Sequence, residues 1–192
     1  VNDLLAELFS SKIRAAVLGH LLPRPHRGFS LTDLSRRLDL PVSSLQHECY
    51  KLERIGVLFA RRAGNARLYR INPACPVLEP LTRLVLAAIG PAAALTAAIE
   101  DVPGLESGFV AGSLPAPGEA AADAPRLVLI GEIALDELDT LLIRAEIALD
   151  MAPGTLDLAF FRPDDWQHRL ADGNTYVLGL VNGPRVDLVP NQ

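Results

Sequence analysis

Apolar side chains at Leu4, Leu5, Leu8, Phe9, Ile13, Val17, Leu18 and Leu21 follow the spacing of one helical face. Lys12 and Arg14 lie on the other side, and Pro23 and Pro25 end the run, so one helix is expected over residues 3–22. Ser30 and Asp33 stand at the spacing of a capping box and open a second helix over 31–38, with Leu31, Leu34 and Leu38 on one face. Beyond Pro41, Ser43 and Gln46 form a second cap for a third helix reaching about residue 55. Val42, Leu45, Cys49, Leu52 and Gly56 would face inward, and Gly56 suits a left-handed helix end. Residues 57–62 and 67–71 read as two strands joined by Ala63-Gly64-Asn65-Ala66, a hairpin turn with Gly and Asn where positive φ is expected.

Pro73 and Pro76 break the chain before a helix with an apolar face at Val77, Leu78, Leu81, Leu84, Val85, Ala88 and Ile89. Gly90-Pro91 interrupts it, and an alanine-rich helix follows over 92–99. A domain of about 70 residues is too small to bury both, so they are expected to pack on the next domain, on a second subunit, or on both. The remainder alternates strand and helix: a strand over 105–111 ending at Gly112-Ser113, a Pro-, Ala- and Gly-rich loop, then a buried strand over 127–131. A helix over 133–149 carries apolar Leu135, Leu138, Leu142 and Ile143, a strand covers 155–161, and a helix over 163–170 has Pro163 in its first turn. Asp164 and Asp165 suit that helix's N-terminus, and Trp166 reads as a packing anchor. Segments 175–180 and 185–189 close a small α/β domain with a mixed sheet.

The 192 residues are 49% hydrophobic and 21% charged, enough for a packed core and too apolar for wholesale disorder. The net charge of −5 conceals an asymmetry. Residues 1–72 hold 12 Lys and Arg against 6 Asp and Glu, whereas residues 73–192 hold 6 against 17. Two modules are implied, the basic one suited to a polyanion. Cys49 and Cys75 stand alone, with no disulfide framework or zinc spacing, and Cys49 reads as a small core residue. The first 22 residues carry acids and bases that exclude a signal peptide, and no apolar run is long enough to cross a membrane, so a cytoplasmic protein is expected.

Helix, short strand, helix, tight turn, helix and two-stranded ribbon is the order of a winged helix-turn-helix, with the third helix in the DNA major groove and the ribbon on the backbone. Its outward residues would include Ser43, Ser44, Gln46, His47, Tyr50, Lys51 and Arg54. Ser, Gln and His can read base edges, and Lys51 and Arg54 suit phosphates. Arg61, Arg62, Asn65 and Arg67 surround the wing tip. Arg36 and Arg37 fit either a backbone contact or an exposed helix end. Histidines 20, 26, 47 and 168 are isolated, and no nucleophile elbow, Walker loop or dinucleotide fingerprint is present.

The segments LFSSKIRAAVLGHLL, LPVSSLQHECYKLERIGVLFARRAGNARLYRIN, FVAGSLPAPGE, RLVLIGE and TLDLAFFRPDDW together resemble prokaryotic regulators that join a winged helix to a minimal nucleotidyltransferase domain. The resemblance implies an α+β chain: a winged helix over 1–74, connecting helices over 75–104 that also suit dimerisation, and a nucleotidyltransferase-like domain over 105–192. In active members a strand ends in Gly-Ser, a later strand carries paired acids, and a third acid follows. Backbone donors hold the triphosphate and the carboxylates bind two divalent ions. Here Gly112 and Ser113 keep the first feature, and Asp157 matches the third acid, but the paired positions are Ala124 and Arg126. Asp123 is one residue out of register, which on a strand points it to the opposite face. Pro115 and Pro117 remove two N–H donors. Gly112, Ser113, Asp123 and Asp157 are thus expected to form a vestigial nucleotide site without catalysis, metal or cofactor.

The chemistry expected is that of a homodimeric, DNA-binding transcriptional regulator whose acidic domain serves ligand binding or assembly with a small molecule or protein. Two other classes stay open: an active nucleotidyltransferase using Ser113, Asp123 and Asp157 on a partner protein or small molecule, and an antitoxin-like interaction protein.

Overall fold

In the computed structural model, which describes residues 2–114 and 125–189, the first apolar run folds as two helices, not one: α1 (Asp3–Leu8) and α2 (Lys12–Leu21). Ser10 between them takes φ 50°, and the Ser11 hydroxyl accepts from Arg14 N (3.2 Å), capping α2. A helix cap satisfies an N–H that a continuous helix would not have left open, so adjacent serines favour the break.

The second predicted helix stands as α3 (Leu31–Leu38) with its capping box intact: Ser30 Oγ accepts from Asp33 N (3.1 Å) and Asp33 Oδ2 from Ser30 N (3.4 Å). The third, α4 (Val42–Arg54), starts differently from expectation. Pro41 occupies the cap position with extended geometry and there is no side-chain cap, so Ser43 lies inside the helix. Val42 is consequently 42% exposed, while Leu45, Cys49 and Leu52 are buried. At the other end Gly56 takes φ 77°, its N–H donates to Glu53 O (3.0 Å), and Val57 N donates to Leu52 O (3.0 Å). This pair of bonds closes the helix in a Schellman motif, which needs the left-handed residue that glycine supplies.

Strands β1 (Leu58–Ala63) and β2 (Ala66–Ile71) pair antiparallel, with Ala63 opposite Ala66 across the two-residue turn Gly64-Asn65. Only Gly64 of that turn has positive φ (58°); Asn65, expected to share it, does not. Phe29 and Tyr69 exchange two backbone bonds (3.0 and 2.8 Å), tying the segment before α3 to β2. Helix α5 (Leu78–Ile89) places Val85 in the same core as Leu5, Val17, Leu21, Leu34, Leu45, Leu58 and Ile71.

The chain divides into two units, Val1–Ile89 and Gly90–Gln192, so the boundary falls inside the segment expected to connect them. In the second unit α6 (Pro91–Ile99), β3 (Leu105–Ala111), β4 (Arg126–Gly131), α7 (Leu135–Ala148), β5 (Asp157–Phe161), α8 (Pro163–Ala171), α9 (Thr175–Asn182) and β6 (Arg185–Val189) surround a sheet of order β5-β4-β3-β6. β4 runs parallel to β5 and β3 antiparallel to β4 and β6, giving the mixed sheet expected. Alternation along the strands feeds both faces. Val110, Leu127 and Leu129 pack with Leu95 and Ile99 of α6 and Leu138, Leu141 and Ala145 of α7. Phe109, Val128 and Ile130 pack with Trp166 of α8 and Val177 and Leu180 of α9. Trp166 is the anchor expected, its ring 5.0 Å from Phe161 and 6.1 Å from Phe109. On α7 Leu138, Leu141 and Ala145 form the buried stripe, and Leu135 (80%) and Ile143 (57%) are exposed. Helices and two small sheets make this an α+β chain. Among the described residues no single helix is long and apolar enough to cross a membrane.

The orientation of α4 can be measured directly. Leu45→Ala should cost about 2–5 kcal/mol in urea unfolding, as a large-to-small change in a packed core does. Val42→Ala, three residues earlier, should stay within about 0.5 kcal/mol. Equal losses at both positions would contradict the observed helix rotation.

Candidate nucleic-acid interface

The inward anchoring of Leu45, Cys49 and Leu52 turns Ser43, Gln46, His47, Tyr50 and Arg54 outward, all exposed, with Ser44 and Lys51 half-buried at the edges. On the hairpin Arg61, Arg62, Asn65 and Arg67 are exposed. The two elements meet in an open groove of ≈ 380 Å³, lined by Ser43, Gln46, His47 and Tyr50 of α4 and by Arg67 and Tyr69 of β2. Four of the predicted site residues share this groove. Ser44, Lys51, Arg54, Arg61, Arg62 and Asn65 do not line it. Tyr69 was missed because its strand position reads as core, which it also is, at 4% exposure.

The cations of this region fall into two groups. Lys51 Nζ donates to Glu48 Oε1 (2.9 Å), and Arg14 Nε of α2 donates to Glu48 Oε2 (3.1 Å). Burial alone would raise the pKa of Glu48, but the Lys51 bond and the Arg14 charge outweigh it and hold the carboxyl below its ordinary value. Arg67 Nη2 donates to Glu53 Oε1 (2.8 Å) and Oε2 (2.6 Å), and its guanidinium lies 5.5 Å from the Tyr69 ring. Arg54, Arg61 and Arg62 form no ion pair among the described residues. In the hairpin register Arg62 faces Arg67 and Arg61 faces Leu68, so Arg61 and Arg62 project from opposite faces. Lys51, expected to suit phosphates, and Arg67, expected at the wing tip, are thus each paired with an acid of the same chain. The acids responsible, Glu48 and Glu53, both sit on α4: Glu48 binds Lys51 one turn along the same helix and Arg14 of α2, and Glu53 binds Arg67 of β2.

Two neighbouring groups have perturbed chemistry. Burial, then Glu48 and Glu53, push the Cys49 thiol up to about 12, so it stays protonated and unreactive. His20 stacks edge-on against Phe29 at 4.8 Å, and the guanidinium groups of Arg27 and Arg37 lie 5.0 and 5.6 Å from the same ring. Burial first, then Arg24, Arg37 and Arg27, lower the His20 pKa to about 4.

In the second unit Arg126 and Asp157 are register partners on β4 and β5, and Arg126 Nε donates to Asp157 Oδ2 (2.6 Å). The same guanidinium lies 5.5 Å from the Tyr176 ring. Gly112 takes φ 93° and its N–H donates to Pro184 O (2.8 Å); Ser113 is exposed. Asp123 and Ala124, like Pro115 and Pro117, lie outside the described residues. Among the described residues no three His, Cys, Asp or Glu side chains gather to hold a metal ion.

No family model matches this chain. No curated protein matches it either. The crystal structure of M. tuberculosis Rv0081 is similar to 45% of this chain and 89% of its own, at 34% sequence identity and a TM-score of 0.33.

Because His20 binds its proton less well folded than unfolded, stability should fall as pH drops from about 6.5 toward about 4 and the unfolded chain takes up the extra proton. His20→Gln should flatten that part of the pH–stability curve relative to the parent protein. Parallel curves for the two proteins would show that His20 is not held neutral.

Proposed function

We propose that this chain is a DNA-binding transcriptional regulator whose first unit is a winged helix-turn-helix. The observation that carries the reading is the groove in which the outward face of α4 meets the hairpin. α3 and α4 supply the helix-turn-helix, α4 the recognition surface, and β1–β2 the wing. A major groove about 12 Å wide admits such a helix, and its N-terminal residues then reach base edges. Ser43, Gln46 and His47 stand in that first turn or just beyond it and carry the donors and acceptors that base reading needs. Arg54, Arg61 and Arg62 supply charge for phosphates, within a segment where residues 1–72 hold twice as many bases as acids.

The working form is a homodimer. A single helix and wing read only a few base pairs, and two-fold symmetry doubles the contacts on a palindromic site. Leu4 and Leu8 of α1 and Leu84 of α5 are exposed at 59%, 55% and 43%, and Asn2, which caps α1, bonds to Ala88 O of α5. That pair of helices is where a second copy is expected to seat.

The second unit is a nucleotidyltransferase-like module without turnover, serving ligand binding or assembly. A pair of magnesium ions keeps much of its hydration and is held by carboxylates together with the substrate phosphates. Asp157 is already spent on Arg126, and the Gly112 N–H on Pro184 O.

Duplex DNA recovered by genomic pull-down with the full chain gives the substrate for a titration. Arg62→Ala should weaken binding to all sequences and make the slope of log K against log salt shallower by about 0.9, one phosphate's worth of counterions. An unchanged slope would remove Arg62 from the interface. Labelled nucleoside triphosphate with magnesium should give no transfer to protein or small molecule, and Asp157→Ala should leave DNA affinity unaltered. Label transfer lost on Asp157→Ala would establish the enzyme instead.

A further inference from the structure

Among the described residues Arg67 is the one Lys or Arg that lines the groove between α4 and the hairpin, yet it is already neutralised. Its Nη2 reaches both oxygens of Glu53, whose side chain is only 27% exposed, while the guanidinium also lies against Tyr69. Tyr69 is itself pinned by two backbone bonds to Phe29. The guanidinium is thus held by a carboxylate on α4 and a fixed ring on β2, which spans the groove and ties its two walls together. The arrangement also answers a local problem, since Arg62 faces Arg67 directly across the strand pair and like charges so placed repel. Glu53 offsets that repulsion on one side only, and Arg62 has no ion pair among the described residues.

We infer that Glu53 is a positioning residue of the interface: it fixes the wing against the recognition helix through Arg67 and withholds that guanidinium from the phosphate backbone. This rests on the proposed DNA-binding function and adds a division of labour to it. The groove wall becomes electrically neutral and is left to side chains that read base edges. Phosphate binding falls to Arg54, Arg61 and Arg62. Every cation that grips phosphate strengthens binding to all sequences alike, so taking one out of service lowers the non-specific background against which a specific site competes.

The test is a salt titration of non-specific and pull-down duplexes with the full chain, using Glu53→Gln, Arg67→Ala and the double variant, with thermal melting to establish that each is folded. Arg67→Ala should leave the salt slope at the parent value. Glu53→Gln should free Arg67, steepen the slope by about 0.9 and tighten non-specific binding about eightfold at about 0.1 M salt. The double variant should return to the parent slope, and the ratio of specific to non-specific affinity should fall in Glu53→Gln. A slope that becomes shallower in Arg67→Ala would mean that Arg67 leaves Glu53 for a phosphate, which overturns the tether while leaving the DNA interface standing. An unaltered slope in folded Glu53→Gln would overturn it likewise. Absence of any salt-dependent duplex binding by the parent protein would remove both the interface and the tether.

Discussion

What α4 offers to solvent is decided by what it hides. Leu45, Cys49 and Leu52 are buried against the core formed by α1, α2, α3 and the hairpin strands. A helix has one rotational degree of freedom about its axis, and three fully buried side chains on one edge remove it. Gln46, His47, Tyr50 and Arg54 then face outward together without any contact of their own being needed to hold them there. The buried Glu48 reinforces the setting, since its carboxylate binds Arg14 of α2 and Lys51 one turn along. Leaving such a carboxylate without its partners would be costly, so the triad also resists rotation of α4.

The hairpin depends on the same helix. The Schellman closure at Gly56 sends the chain straight from α4 into β1, and Glu53, in the last turn of α4, reaches Arg67 on β2. One short stretch therefore both ends the helix and sets the hairpin beside it. In the second unit an ion pair plays a comparable structural part. Arg126 and Asp157 are register partners and join β4 to β5.

Much of the first unit was legible in the sequence because its signals are local. The capping box at Ser30 and Asp33, the glycine at 56 and the two-residue turn at Gly64 each fix backbone geometry within a few residues, and each stands where the pattern placed it. The split of the first helix was missed because apolar periodicity continues across Ser10, and only the competing cap at Ser11 interrupts it. Along α7 apolar residues are too many for the pattern to choose a face, and tertiary packing buries Leu141 and Ala145 while Leu135 and Ile143 stay exposed. The candidate site was half legible. Its outward residues followed from helix rotation, but the pairing of Arg67 with Glu53 and of Arg14 with Glu48 joins residues on different elements. No periodicity encodes such pairs.

Hydrogen exchange of the full chain, with and without duplex fragments recovered by its own pull-down, tests the central claim most directly. Binding through one continuous surface should slow exchange together in peptides covering α4 and the β1–β2 turn, and leave the four-stranded sheet of the second unit unchanged. Protection confined to the second unit, or absent from α4 while the hairpin alone responds, would contradict it.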